Sequence, residues 1–414
     1  MCVIVRCRSL TNMSQLLYQS TNPVDTQFVA ANDPHVSTVG IVLTTGDGAG
    51  GEMLRFMLVG RGFTGMGLGD IPPITARRLY PAILPQRAFA QEDELGKLII
   101  GSYSEYDMHF VKVVTFKDHV YFLFSRRDFR FKMEYRTYVS RLCISDRNFY
   151  SYVEVPLLCH GGFNVAQGAW LGRLSGKPTL FIIMVAGWTS TSVATDNSAL
   201  CVFGMAELDA MMEQARESCY TKGGRGVKGQ EEAYVVYTLS SNCLTLPQVS
   251  VSEYLCGWEH TPSPIGSIKP LPAIPTLTTT TQLTAVATAT EAGHTVAFVG
   301  DPCIFKTYNA HVSQVSKVAM SSCEWNADCH SCLATRDLYC GWCVLEGRCS
   351  RKDECQRHIH ANHWIWSFNS SNQCVLVQSV QPANQSKDEQ TQVAWTRIMV
   401  IFDFGLRSQR VIVS

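Results

Sequence analysis

Much that would reveal a function directly is missing from this chain. No G-x-S-x-G and no H-E-x-x-H occurs in its 414 residues, so a nucleophile elbow and a zincin helix both lack a local signature. Charge is scarce, at 17% of residues against roughly 25% in average soluble proteins. It is also balanced: Lys+Arg and Asp+Glu are 35 each, which excludes the basic footprint of a nucleic-acid binder. Long apolar runs are absent as well. The best candidate, "LFIIMVAGW" from Leu180 to Trp188, is about half the ~20 residues a membrane-spanning helix needs. At the C-terminus, "RIMVIFDFGLRSQRVIVS" is cut by Asp403, Arg407 and Arg410. At the N-terminus, Arg6 and Arg8 end the apolar start of "MCVIVRCRSL" too early for a signal-peptide core.

Cysteine, by contrast, is plentiful. There are 17, and the run from Cys323 to Cys374 is dense with them. Cytosolic thiols stay reduced, so this density implies disulfides in an oxidising compartment unless a metal holds the cluster. An oxidising-compartment composition with no export signal leads to the expectation that the N-terminus is missing and the chain is a fragment or an incomplete gene model.

From Thr38 to about Gly300 the sequence reads as strands, a texture that suits a β-rich extracellular module. "STVGIVLTT", the glycine turn "GDGAGG" and "EMLRFMLVG" predict a hairpin. Four strands follow in close succession at Phe110–Phe116, His119–Arg127, Tyr135–Ser145 and Phe149–Leu158. Alternation puts Tyr138, Leu142 and Ile144 on one face and Arg141 on the other. "TLFIIMVAG", "NSALCVFGM", "EAYVVYTLS" and the pair "LTAVATAT"–"TVAFVGD" continue the pattern. Four-stranded units recurring at this spacing predict the blades of a β-propeller, the competing sandwich being short for so many strands. One helix stands out, "MAELDAMMEQARESC", whose stripe of Met205, Leu208, Met211, Met212 and Ala215 is expected to pack over a blade.

Several motifs invite a chemical reading and fail on context. "GRGFTG" (Gly60–Gly65) matches the dinucleotide fingerprint, but Gly67, Gly69, Pro72 and Pro73 forbid the helix it requires. "GRLSGKP" places Pro178 after Lys177, where a phosphate loop needs Ser or Thr. His109, His119 and His160 are scattered and read as surface or core histidines. No cofactor site emerges. The loop "SRRDFRFKMEYR" is rich in basic residues, and Arg126, Arg127 and Arg130 are candidates for contact with an acidic partner; a solvated hairpin is the plainer reading.

Cys340 and Cys343 in "YCGWCVLEGRC" could form a redox dithiol, half of a zinc site or part of a disulfide knot. For zinc, His358, His360 and His363 lie at a suitable distance downstream, but six cysteines would be left without a role. For redox chemistry a helix should begin at the first cysteine, and Gly341 and Gly347 argue against one. The knot is the preferred reading, because so small a module has too little core to hold itself together. Spacing alone still leaves roughly a hundred ways to pair eight cysteines.

The run "CEWNADCHSCLATRDLYCGWCVLEGRCSRKDEC" resembles the PSI module of plexins, semaphorins and integrins, with most likeness to plexins, where it follows a sema propeller. Upstream, "FVAANDPHVSTVG", "YRTYVSRLCISDRNFYSYVEVPL", "CYTKGGRG" and "CGWEHTPSPI" resemble the sema domain of class B plexins. Downstream, "WIWSF" and "CVLVQSVQPAN" resemble the passage into an immunoglobulin-like IPT domain. The likeness runs from about Val24 to Val393. It implies a mainly β chain: a partial sema-type β-propeller over 1–322, a PSI knot over 323–374, the start of an IPT domain over 375–393, and an unassigned tail, 394–414. Early blades are expected to be missing and the last one shortened near 301–322. Cys303 falls there as the expected mark of an exon skip or mis-joined model, and Cys2 and Cys7 as remnants of an early-blade pair. A ring left open in this way would expose strand edges, so aggregation on expression is expected.

The same resemblance implies the pairings Cys323–Cys340, Cys329–Cys374, Cys332–Cys349 and Cys343–Cys355 in the knot, and Cys143–Cys256, Cys159–Cys201 and Cys219–Cys243 in the propeller. It implies a semaphorin receptor ectodomain on the outer side of the plasma membrane, with semaphorin and co-receptors as partners and membrane attachment through a part not in this sequence. Triplets at Asn12, Asn369 and Asn384 are candidate N-glycosylation sites that suit an exported chain. The alternatives are a secreted decoy, a semaphorin-like ligand, or a propeller enzyme using Cys340 and Cys343 for redox chemistry; the receptor reading assigns no catalytic or metal residues.

Overall fold

The computed structural model describes residues 26–300 and 323–381, with breaks at 32, 47–52, 66–70, 81–93, 102, 131–133, 188–191, 237–242, 248–250, 292–293 and 370–372, together with strands at 3–9, 12–19 and 394–398. Residues 1–288 with 297–308 form one compact unit, and 289–296 with 309–414 a second.

In the first unit, β1 (Val3–Ser9) and β2 (Asn12–Gln19) make a hairpin. A four-stranded antiparallel sheet follows: β3 (Thr38–Thr45), β4 (Leu54–Arg61), β5 (Ile74–Leu79) and β6 (Glu94–Lys97). The β3–β4 hairpin is the one expected around the glycine turn. Gly60, from the nucleotide-motif decoy, instead lets β4 approach the next sheet: a Cβ there would stand 2.7 Å from the Phe110 ring.

The second sheet is the meander β7 (His109–Phe116), β8 (His119–Asp128), β9 (Glu134–Cys143) and β10 (Val153–Cys159). The fourth strand starts at Val153 rather than Phe149. The Asp146 carboxylate accepts from the Asn148 N–H at 3.0 Å, the Ser151 N–H at 2.7 Å and the Ser151 hydroxyl at 2.6 Å. These bonds hold the chain in a turn in which Phe149 has φ 63, a conformation no strand can use.

The third sheet begins with β11 (Val165–Leu174), β12 (Lys177–Gly187) and β13 (Ala194–Gly204). The chain then leaves it. Helix α1 (Met205–Lys222), β14 (Ala233–Val235), β15 (Ile265–Ser267) and β16 (Leu271–Ala273) are laid against the second sheet, where β15 and β16 run parallel to β10. Only then does β17 (Leu277–Thr279) return to pair with β13 and complete the third sheet at four strands. The hairpin β18 (Ala285–Glu291) and β19 (His294–Gly300) follows. The part of "EAYVVYTLS" past Val236, and all of 301–322 with Cys303, lie outside the described residues, as does Cys2.

Alternation in β8 shows how the meanders stack. Val120, Phe122 and Phe124 pack with Phe56, Leu58, Ile74 and Phe110 on one side. Tyr121 and Leu123 pack with Val139, Ile182 and Met184 on the other. The second sheet thus buries both faces, the propeller-like arrangement of successive four-stranded meanders. Tyr138, Leu142 and Ile144 share one side and Arg141 takes the other, as their alternation requires. Helix α1 covers the second side with Met205, Leu208, Met212, Ala215 and Cys219; burying a Leu or Met side chain fully is worth about 1.5–3 kcal/mol. It ends at Gly223, which adopts φ 61, and the Gly224 N–H closes back onto the Ser218 carbonyl at 2.9 Å.

The second unit has little apolar core. Helix α2 (Cys329–Ala334) starts with a capping box in which Asp328 and Ser331 satisfy each other's backbone N–H groups. Three short strands, β20 (Cys340–Cys343), β21 (Arg348–Arg351) and β22 (Trp364–Trp366), pair with β20 in the middle. Farther on, β23 (Leu376–Gln381) pairs with β24 (Ala394–Ile398), so the stretch left unassigned from 394 opens with a strand.

Candidate functional site

The basic loop does not present its arginines equally. Arg126 sits on an inward position of β8, buried with Glu154 of β10; both side chains are 2% exposed and their charged atoms are 2.5 Å apart. Its guanidinium lies over the rings of Tyr138 at 4.0 Å and Tyr106 at 4.8 Å, and donates to the Tyr234 hydroxyl at 3.3 Å. Tyr152 donates to the second Glu154 oxygen at 2.9 Å. Desolvation works against the Arg126 charge, but Glu154 together with Tyr138, Tyr234 and Tyr106 outweighs it and holds the guanidinium protonated well beyond its ordinary range. Burial raises Tyr138 and Tyr152, and pushes Tyr106 up to about 12. The expectation that Arg126 touches a partner is therefore corrected: it is the centre of an internal charge network.

Arg127 and Arg130 are 34% and 22% exposed. Arg130 pairs with Glu231 and stacks on Tyr234 at 4.6 Å. Arg127 reaches Asp107 at 3.6 Å. Asp107, at φ 45, also accepts from the Tyr135 hydroxyl and faces His109 at 3.4 Å. Burial alone would raise its carboxyl, but the contacts with His109, Tyr135 and Arg127 leave it below its ordinary value. Beside this cluster a cleft of about 470 Å³ opens, with Leu157, Leu158, Phe163 and Pro270 as its apolar wall and Glu134 and Arg136 as its charges.

A second charge group ties helix α1 to the meander. Arg141 of β9 reaches Asp209 at 3.2 Å and also binds Glu213, which in turn meets Arg216 at 2.5 Å. The Tyr121 hydroxyl donates to Asp209, and Arg216 donates to the Tyr254 carbonyl at 3.0 Å. Sequence reading passed over Glu154, Asp209 and Glu213. The signal for Glu154 was present: a lone carboxylate at an apolar position of "YVEVPLL" needs a cation from elsewhere in the fold.

Seven cystine bridges form among the described cysteines. In the first unit they are Cys143–Cys256, Cys159–Cys201 and Cys219–Cys243. In the second they are Cys323–Cys340, Cys329–Cys374, Cys332–Cys349 and Cys343–Cys355. The two sulfurs of the Cys-x-x-Cys thus go to different partners. Cys343, Glu346 and Cys355 come close enough to suggest a metal site, yet the two sulfurs are bonded to each other and cannot ligate as thiolates. The His360 and His363 rings meet at a tilt with centroids 5.3 Å apart, and His358 Nδ1 meets the Cys355 carbonyl at 2.8 Å. Asn12 lies in β2, Asn369 is exposed, and Asn384 lies outside the described residues. His160 is exposed, whereas His119 is partly buried beside Cys143, with burial and then Arg141 lowering its pKa. Lys177 is an exposed residue at the start of β12.

Among the described residues no nucleophile and base are brought together; what the geometry offers is rigid sheets held by internal ion pairs, and a cross-linked module after them. The family model described as the Sema domain matches residues 174–315, and the one described as the Plexin repeat matches 322–395. Human Plexin-B1 is 40% identical over 439 residues, an alignment covering 93% of this chain and 20% of that protein. Mouse Plexin-B3 is 40% identical over 423 residues, covering 93% of this chain and 21% of its own length. The chain therefore spans about a fifth of the length of these curated relatives. Among solved structures, the full extracellular region of Plexin A4 matches with a TM-score of 0.64 at 20% identity, over 84% of this chain and 40% of that one, a likeness of fold. No helix of the described residues is long and apolar enough to cross a membrane.

Proposed function

The chain belongs to the plexin family, whose sema and PSI domains it carries, and from that premise we propose that it is semaphorin-receptor ectodomain, binding a semaphorin through its propeller in cell-surface guidance signalling. The observation that carries this reading is the joining of a Sema match to a Plexin repeat match in one chain, with relatives of 40% identity across both. In this reading the propeller occupies 1–322, the knot 323–374 is a stiff joint, and an IPT-type domain begins over 375–393. Placement on the outer side of the plasma membrane agrees with seven cystines, which persist in oxidising surroundings. Co-receptors are further partners in the same reading.

A redox role for Cys340 and Cys343 finds no support, because each sulfur is already bonded elsewhere. The deciding experiment is to immobilise the purified chain, verified as cross-linked by non-reducing mass analysis, and pass a panel of semaphorin ectodomains over it. Saturable binding to at least one is expected; no binding to any would overturn the proposal. Within it, Arg127 and Arg130 are the loop residues proposed for partner contact. Reversing both to Glu should weaken the bound semaphorin about tenfold, and unchanged affinity would remove them from the interface.

A further inference from the structure

The disulfide module carries an open cleft of about 520 Å³, walled by Leu338, Tyr339, Arg351, Lys352, His358 and Trp364, with Asp353 as its one acidic residue. That volume lies within the range of ligand pockets, about 300–1,000 Å³. The walls combine two chemistries: aromatic rings and cations. The Trp364 indole is held rigidly, its N–H donating to the Ser350 carbonyl at 3.2 Å. Lys352 Nζ stands 6.0 Å from the Trp364 ring centroid, and among the described residues no carboxylate lies within ion-pairing distance of it. Two of the other nearby acids are engaged elsewhere. Glu346 accepts from Arg348 Nε and from the Gln356 N–H, both at 2.8 Å, and Glu354 accepts from the Arg351 N–H at 3.0 Å. His358 donates Nδ1–H to the Cys355 carbonyl, which leaves Nε2 as the ring's other polar atom.

A fixed aromatic face beside an uncompensated ammonium suits a ligand with a flat apolar face and strongly anionic substituents. A module closed by four cystines belongs to an oxidising, extracellular setting, where the abundant polymers of that description are sulfated polysaccharides. We propose that this cleft binds a sulfated glycosaminoglycan, with sulfates facing Lys352 and Arg351 and a sugar ring laid against Trp364 beside Tyr339. The proposal rests on the extracellular reading above but not on semaphorin recognition, so the two can fail separately.

The test uses the full chain on a heparin surface, with fully desulfated heparin as the parallel probe. Heparin is expected to bind, more weakly as salt rises, and desulfated heparin to bind at least tenfold less tightly. Lys352→Glu should weaken heparin binding about tenfold and Tyr339→Ala about threefold, while Lys352→Arg should stay near the parent. A non-reducing peptide map identical to the parent's shows that Lys352→Glu has kept the fold, since Lys352 is exposed and outside the cystine network. Absence of heparin binding, equal binding of the desulfated polymer, or a Lys352→Glu chain that binds like the parent would each overturn the proposal.

Discussion

The indole of Trp364 lies across Gly341 so closely that a Cβ added at 341 would stand 2.4 Å from Trp364 Cε2 and 2.7 Å from the Ile365 carbonyl oxygen. Gly341 is the central strand's contribution to a close packing of backbone and ring. The "CGWC" run is thereby explained by sterics as well as by cross-links: its glycine makes room for an aromatic ring from β22. Gly341→Ala should cost about 1–3 kcal/mol and speed hydrogen exchange across 340–366. Unchanged exchange there would show that the ring is free to move aside.

Arg126 and Glu154 stand or fall together. Arg126→Met leaves a buried carboxylate uncompensated and should destabilise the chain by about 3–5 kcal/mol in urea unfolding. Adding Glu154→Gln should recover most of that loss, because the uncompensated charge is then gone. A double variant no more stable than the single one would mean that packing, rather than charge, sets the cost.

Asp107 gives an acid dependence whose direction follows from its lowered pKa. A carboxyl depressed in the folded state contributes stability above its unfolded value of about 3.9, and that contribution is lost as pH falls through the lower folded value. Asn tolerates φ 45, so Asp107→Asn removes the charge without disturbing the backbone. The parent should melt higher than this variant from pH 7 to 5, and the gap should close below about pH 4. A gap that persists at the lowest pH would assign the difference to hydrogen bonding alone.

Peptide mapping without reduction should return Cys323 linked to Cys340 and Cys343 linked to Cys355, and no peptide linking Cys340 to Cys343. Removing the Cys343–Cys355 bridge by paired Ser substitution should cost about 2–4 kcal/mol. A free-thiol reaction at Cys340 or Cys343 in the untreated chain would contradict this arrangement.

Sequence made the meanders legible because alternation is a backbone property: Tyr138 and Arg141 fall on opposite faces whatever surrounds them. Strand ends were less legible, and β10 shows why. "FYSYVEV" has strand propensity throughout, but the Asp146 carboxylate captures the N–H groups of Asn148 and Ser151 and bends the first part away. Arg126 was misjudged for a related reason. A basic run usually meets water, and nothing local to Arg126 shows that Glu154, two strands across the sheet, neutralises it. The cysteine pairings were beyond spacing altogether and came from family resemblance. The cleft beside Lys352 was invisible, since its walls come from separated turns and strands that the cross-links gather.

The detour between β13 and β17 has a consequence for how the molecule is made. Leu200 pairs with Leu277, and between them helix α1, β14, β15 and β16 are laid on the neighbouring sheet. On a ribosome the third sheet must therefore wait, one strand short, while helix α1 and the strands beside β10 emerge and dock. A loop of that length is slow to close by chance, and docking the intervening chain shortens the search. Two sheets interlocked in this order share a single birth: the second is not covered, nor the third completed, until the same stretch of chain has passed across both.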